Sequence, residues 1–228
     1  MNNKKLLYGI IIKSIAIISS IYGIIKTSYS LFTFTYFTTL SNIFMSIMLL
    51  VVLIKDLYSI IKRKDIKLSN IIYTTKFLAT ISITLTFFVF LTILAPTING
   101  GILYAYLSNG AGSLCVHFIT PSLSIIDFLY FDDDYKSKNV HVLYSTIPPL
   151  IYVLFVVIAS SLGLRWGVMY APYNFLNYGA KTGWFGFDLS ILGWESLGIG
   201  VFYMIVLLLL IFILIAKLFL YLRNKINF

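Results

Sequence analysis

The chain has 228 residues, of which 60% are hydrophobic and only 11% charged, with a formal net charge of +9. Soluble domains hold about 25% charged residues, so this composition excludes a single water-soluble core and points to lipid. The basic residues stand in short clusters between apolar runs rather than along one soluble face, which argues against a nucleic-acid partner and suits anionic lipid headgroups.

Crossing the hydrocarbon of a bilayer takes about 20 consecutive apolar residues. In chain order, the runs that meet this need are Leu6–Ile25, Phe37–Ile54, Ile71–Ala95, Leu114–Phe131, Val142–Leu162 and Ser196–Leu222. Lys4 and Lys5 before an apolar run resemble the start of a secretory signal. Lys13 interrupts that run and no A-x-A-like cleavage site follows, so it is kept as the first span. Backbone groups facing lipid must be satisfied within the segment, and no alternating ten-residue barrel pattern is present, so the spans are helical. The fold class predicted is all-α: a polytopic membrane protein of six transmembrane helices in a single domain, residues 1–228, without linker or internal repeat. Cys115, the only cysteine, cannot form an intrachain disulfide.

Orientation follows from the bias of Lys and Arg. With the N-terminus inside, the inner segments hold Lys4, Lys5, Lys55, Lys62, Arg63, Lys64, Lys67, Lys136, Lys138, Lys217, Arg223 and Lys225. The outer segments hold Lys26, Arg165 and Lys181. Both termini are therefore expected on the cytoplasmic side.

Ionisable groups inside spans are costly and mark function by default. Ser113, His117, Thr120, Ser124 and Asp127 follow one another at spacings of four and three, which predicts one polar stripe on the fourth span. Asp127 lies near its inner end, at a depth matched by Lys13 and Lys76 on the first and third spans. Each lysine either pairs with it or snorkels to the headgroups. Near the outer surface, Thr38, Ser41 and Asn42 share a face of the second span, and Thr38 and His117 stand at matching depth. A hydroxyl and an imidazole so placed can act as nucleophile and base, or can be ordinary structural hydrogen-bonders. His141 reads as a solvated loop residue. Asp132, Asp133 and Asp134 lack an EF-hand frame and no Cys/His cluster has ligand spacing, so no metal is expected. With neither a glycine-rich phosphate loop nor a G-x-S-x-G elbow, no cofactor is expected either. The outer loop Gly163–Glu195 is rich in Trp, Tyr and Phe, which form either an interfacial belt or the roof of a cavity.

Three motifs together carry a resemblance. They are Tyr36-Phe37-Thr38-Thr39-Leu40-Ser41-Asn42, His117-Phe118-Ile119-Thr120-Pro121 and Tyr170-Ala171-Pro172-Tyr173-Asn174-Phe175-Leu176. In span order they resemble the androgen-induced protein family, and more closely its six-span bacterial relatives. The resemblance implies an intramembrane threonine hydrolase acting on fatty acid esters of hydroxy fatty acids without a cofactor. Its nucleophile would fall on Thr38 and its histidine on His117, with Thr39 the alternative nucleophile. Ser41 and Asn42 are the nearest oxyanion donors, and Thr120, Tyr170 and Tyr173 are further candidates to touch substrate. The expected partners are a lipid or acyl-ester substrate from the outer leaflet and membrane lipids, with no nucleic acid and no metal. The Ile, Lys, Asn, Tyr and Phe usage of an AT-rich genome points to a bacterial plasma membrane. Two other classes compete: a non-catalytic lipid-binding or partner-binding membrane protein, and a transporter or channel. Against the latter stand the apolar inner ends Ile47–Ile54 and Pro149–Val157, which predict a cavity closed on the inner side.

Overall fold

In the computed structural model, residues 3–188 and 198–226 are described. The helices are α1 (Asn3–Thr27), α2 (Phe37–Lys62), α3 (Asn70–Val89), α4 (Gly101–Leu107), α5 (Gly112–Phe131), α6 (Val140–Tyr144), α7 (Ile147–Ser161) and α8 (Val201–Ile226). No β-strand forms among the described residues; only the isolated bridges Trp166–Met169 and Phe187–Ile199 occur. Among the described residues, six segments are long and apolar enough to cross a membrane: Lys4–Thr27, Phe37–Lys62, Asn70–Thr92, Gly112–Phe131, Val140–Ser161 and Val201–Ile226. The expected starting residue of the last span, Ser196, and the end of the aromatic loop, Glu195, lie outside the described residues. The second span overruns its expected end at Ile54 by two turns, because Asp56 and Ser59 turn inward and are buried there.

The single domain expected from the sequence comprises two compact units, Met1–Ser145 with Ala216–Phe228, and Thr146–Ile215. In the first, α1, α2, α3 and α5 close a four-helix ring, α1 on α2, α2 on α3, α3 on α5 and α5 on α1. Its middle layer is apolar: Ala16, Met45, Met48, Leu49, Ala79 and Ile83 pack together, flanked by Ile17, Phe44, Ile72 and Leu123. The opposite faces carry exposed large apolar residues such as Ile11, Ile18 and Ile25 on α1 and Ile47, Leu50 and Ile54 on α2, the surface a lipid-facing helix needs. Most buried of the spans is α3, although it is rich in hydroxyls. Thr80, Ser82, Thr84 and Thr86 are tolerated because each bonds the carbonyl four residues back, so none brings an unsatisfied group into the bundle.

The crossing of α1 over α5 depends on close backbone approach. A Cβ on Gly23 would stand 2.6 Å from Val116 Cγ1, 2.9 Å from Cys115 Cβ and 3.0 Å from the Gly112 carbonyl oxygen. Gly23→Val should therefore push the helices apart at a cost of about 1–3 kcal/mol. A thermal melt in detergent that is unchanged by this substitution would contradict the packing.

Two of the spans widen where proline removes a backbone donor. Pro121 has no N–H to give the His117 carbonyl and its ring crowds it, so the helix opens into a π-turn over Cys115–Ile119, with Thr120 N bonding Cys115 O. Pro96 stands in the same relation to a π-turn at Phe90–Leu94, closed by Ala95 N on Phe90 O. The two widened turns face each other: the Phe90 and His117 rings stack at 3.7 Å between centroids, 11° from parallel.

Candidate functional site

The extra residue taken up by the π-turn breaks the polar stripe expected on a regular helix. His117, Thr120, Ser124 and Asp127 are buried as that stripe requires, but Ser113 is rotated away and half-buried. Asn109 holds it there, with Asn109 Nδ2 donating to Ser113 Oγ and Ser113 N to Asn109 Oδ1, both at 2.9 Å.

The π-turn also explains a conspicuous contact. In the five-residue register, the Val116 carbonyl would accept from residue 121, and Pro121 has nothing to donate. Asn42 Nδ2 supplies the bond at 3.1 Å, and the same nitrogen donates to the Thr38 carbonyl at 2.9 Å. One fully buried amide thus ties the turn bearing Thr38 to the turn bearing His117. Around it, Ser41 Oγ lies 3.0 Å from the Thr38 carbonyl and 2.9 Å from Thr86 Oγ1, Ser20 Oγ donates to Asn42 O at 3.4 Å, and Thr120 Oγ1 to Ser19 Oγ at 3.1 Å. Thr38 is half-buried and Thr39 buried.

Two consequences bear on chemistry. The protons of Asn42 Nδ2 and Thr120 are committed to these bonds, and the single Ser41 proton is taken up by the Thr38 carbonyl, so none of the three has a spare donor for an oxyanion. Conversely, His117 Nδ1 and Asn42 Oδ1 are buried with no hydrogen-bond partner, a state native proteins rarely leave unused.

At the far end of α2 lies a second polar layer. Thr38 and Asp56 are separated by five helical turns, about 27 Å at the helical rise, with the apolar middle layer between. Lys13 Nζ lies 2.8 Å from Asp127 Oδ1 and 3.1 Å from Asp56 Oδ2. Lys76 Nζ binds Asp127 Oδ2 and lies 2.5 Å from Asp132 Oδ1. Both lysines are at most 1% exposed, so they pair inside the bundle rather than snorkel. Sequence reading named Lys13, Lys76 and Asp127 but missed Asp56 and Asp132. Asp56 was detectable, because Asn42, Met45, Leu49, Val52, Asp56 and Ser59 recur at spacings of three and four and are all buried. The end of this unit that the Ile47–Ile54 run was expected to close is therefore not apolar throughout; one turn further, the interior is ionic. The N-terminus, the 131–137 corner and the end of α8 all meet here, through Lys5–Asp133 at 2.7 Å and Ser137–Asn224 at 3.5 Å.

His141 is not solvated as its loop setting suggested. It is 5% exposed, its Nδ1 lies 2.7 Å from the Tyr135 hydroxyl, and the rings of Tyr135 and Tyr144 flank it.

In the second unit, the aromatic loop has a small core of its own. Trp166, Ala171 and Leu176 are buried, Tyr178 stacks on Trp184 at 4.9 Å, and Arg165 lies 4.0 Å over the Tyr170 ring. Tyr173 stacks on Phe175 at 5.2 Å. Among the described residues of the loop, Phe185 and Phe187 are the aromatics that remain strongly exposed.

Comparison of the chain with models of protein families, with curated proteins and with solved structures finds no match to any of them.

Proposed function

We propose that this protein is an intramembrane ester hydrolase in which Thr38 is the nucleophile and His117 the base, acting on a lipid acyl ester such as a fatty acid ester of a hydroxy fatty acid. The observation that carries the reading is the Asn42 amide, which joins the Thr38 carbonyl to Val116, the residue before His117, while His117 Nδ1 stays buried without a partner. A threonine hydroxyl is a weak nucleophile and needs a base. His117 takes the Thr38 proton as Oγ1 attacks the ester carbonyl, then gives it to the departing alcohol, and water clears the acyl-threonine. With Ser41, Asn42 and Thr120 committed to structural bonds, the oxyanion falls to the positive end of α2, whose first turn carries Thr38.

In this reading the end bearing both termini is cytoplasmic, in a bacterial plasma membrane, with Thr38 toward the outer leaflet; the bias of Lys and Arg supports the orientation. Tags at the two termini should stay protected from an impermeant reagent in intact cells; labelling of both overturns this orientation. The chemistry is tested with a fluorophosphonate probe on purified protein. Labelling should vanish in Thr38→Ala and persist in Thr39→Ala. The reverse pattern moves the nucleophile to Thr39, and labelling that survives both substitutions rejects the threonine mechanism.

A further inference from the structure

The ionic layer is a chain that alternates in sign across the bundle: Asp56 on α2, Lys13 on α1, Asp127 on α5, Lys76 on α3, then Asp132 just past α5. It begins and ends in a carboxylate, so the two ends decide its charge state. Asp56 is relieved by Lys55, 3.2 Å away at the edge of the bundle. Asp132 has no such relief. Its Oδ1 meets Lys76, but its Oδ2 is buried with no hydrogen-bond partner. Arg223 on α8 lies beside it, yet donates to the Asp132 backbone carbonyl and not to the carboxylate, with its guanidinium 5.0 Å from the Tyr135 ring centre. An ionised oxygen without a donor in a dry interior is expensive, and a proton turns it into a neutral hydroxyl.

We propose that Asp132 is a proton-binding site, its Oδ2 taking up one proton from water so that the buried network exists in two protonation states under mildly acidic and neutral conditions. The groups that face it are Lys76 and Tyr73 from α3, Asp127 from α5, Lys13 from α1, Arg223 from α8 and Tyr135 beyond the corner, with Asp56 of α2 at the other end of the chain. Burial and Asp127 favour the protonated form, Lys76 and Lys13 the ionised one, and burial is the largest influence, pushing the carboxyl up to about 6. Water has a way in. A cleft of about 190 Å³ reaches Phe131 and Asp133, the residues on either side, between walls that include Lys5, Gly9, Lys13 and Asp56. A carboxyl that binds its proton more tightly in the folded state stabilises the fold at low pH, and that contribution is lost as pH rises from the ordinary carboxyl value of 3.8 through about 6.

The test is infrared difference spectroscopy between pH 5 and pH 8 on the full chain in lipid nanodiscs, with aspartate carboxyl carbons labelled with ¹³C. The expected result is an isotope-shifted band of a protonated carboxylic acid at pH 5, with a midpoint near pH 6, lost in Asp132→Asn. A wild-type protein without the band, or a band retained in Asp132→Asn, overturns the proposal. If Asp132→Asn does not fold, Asp132→Glu decides: the band must move to the unlabelled glutamate position, and a band that stays at the labelled position assigns the proton to another aspartate and overturns it. None of these outcomes depends on ester hydrolysis.

Discussion

Lys76→Met should prevent the first unit from holding its fold, or lower its stability by about 3–5 kcal/mol, the range seen when one partner of a buried ion pair is removed. The side chain is fully buried and its ammonium is shared by Asp127 and Asp132. Methionine has a similar length and fills the space, so the loss is electrostatic rather than steric. Asp127 would keep Lys13, whereas Asp132 would keep no ammonium within contact distance. Stabilities of whole domains are about 5–15 kcal/mol, so the single substitution consumes much of what is available. Lys76→Met combined with Asp132→Asn removes charges of both signs and should recover a large part of the loss, a coupling that a double-mutant cycle measures. Thermal melts and gel filtration in detergent are sufficient readouts. A Lys76→Met protein as stable as wild type would show that the network carries no net stabilisation.

Under the hydrolase reading, Thr38→Ala and His117→Ala should each lower kcat for a lipid ester by about 10²–10⁴-fold or more, since a positioned base alone contributes on that scale. Their roles are sequential in one proton transfer, so the double variant should be little worse than either single one. Asn42→Ala should act differently. Its amide holds Val116 and Thr38 together without touching the reacting atoms, and its loss leaves the Val116 carbonyl without a donor. That variant should combine lower stability with lower kcat, because a misplaced base slows the reaction even when both catalytic groups remain. Wild-type turnover in Thr38→Ala, with a verified activity in hand, would remove the mechanism altogether.

Hydropathy alone located six spans because lipid imposes a length of apolar helix that each segment must meet by itself, whatever its neighbours do. Depth was legible for the same reason. Counting turns from each span end set Lys13 and Lys76 level with Asp127, and Thr38 level with His117. The residues that escaped were those whose meaning depends on a partner from another helix. Asp132 stood out in the sequence only as the first of three aspartates without an EF-hand frame, and only the approach of Lys76 and Arg223 makes it part of the interior. His141 read as a loop residue until Tyr135 and Tyr144 enclosed it. The π-turns lie between these cases: Pro121 and Pro96 announce a defect in the helix, but not how it is accommodated. Whether such a defect kinks the helix, ends it or widens it is decided by which side chain can reach the orphaned carbonyl. What the sequence by itself determined was the number and approximate bounds of the long apolar helices, since those follow from local transfer energies. Tertiary structure alone decided that Asn42 would satisfy Val116 and so tie α2 to α5, and that the buried charges would close into one chain, because a hydrogen bond or ion pair across helices exists only once the helices have packed.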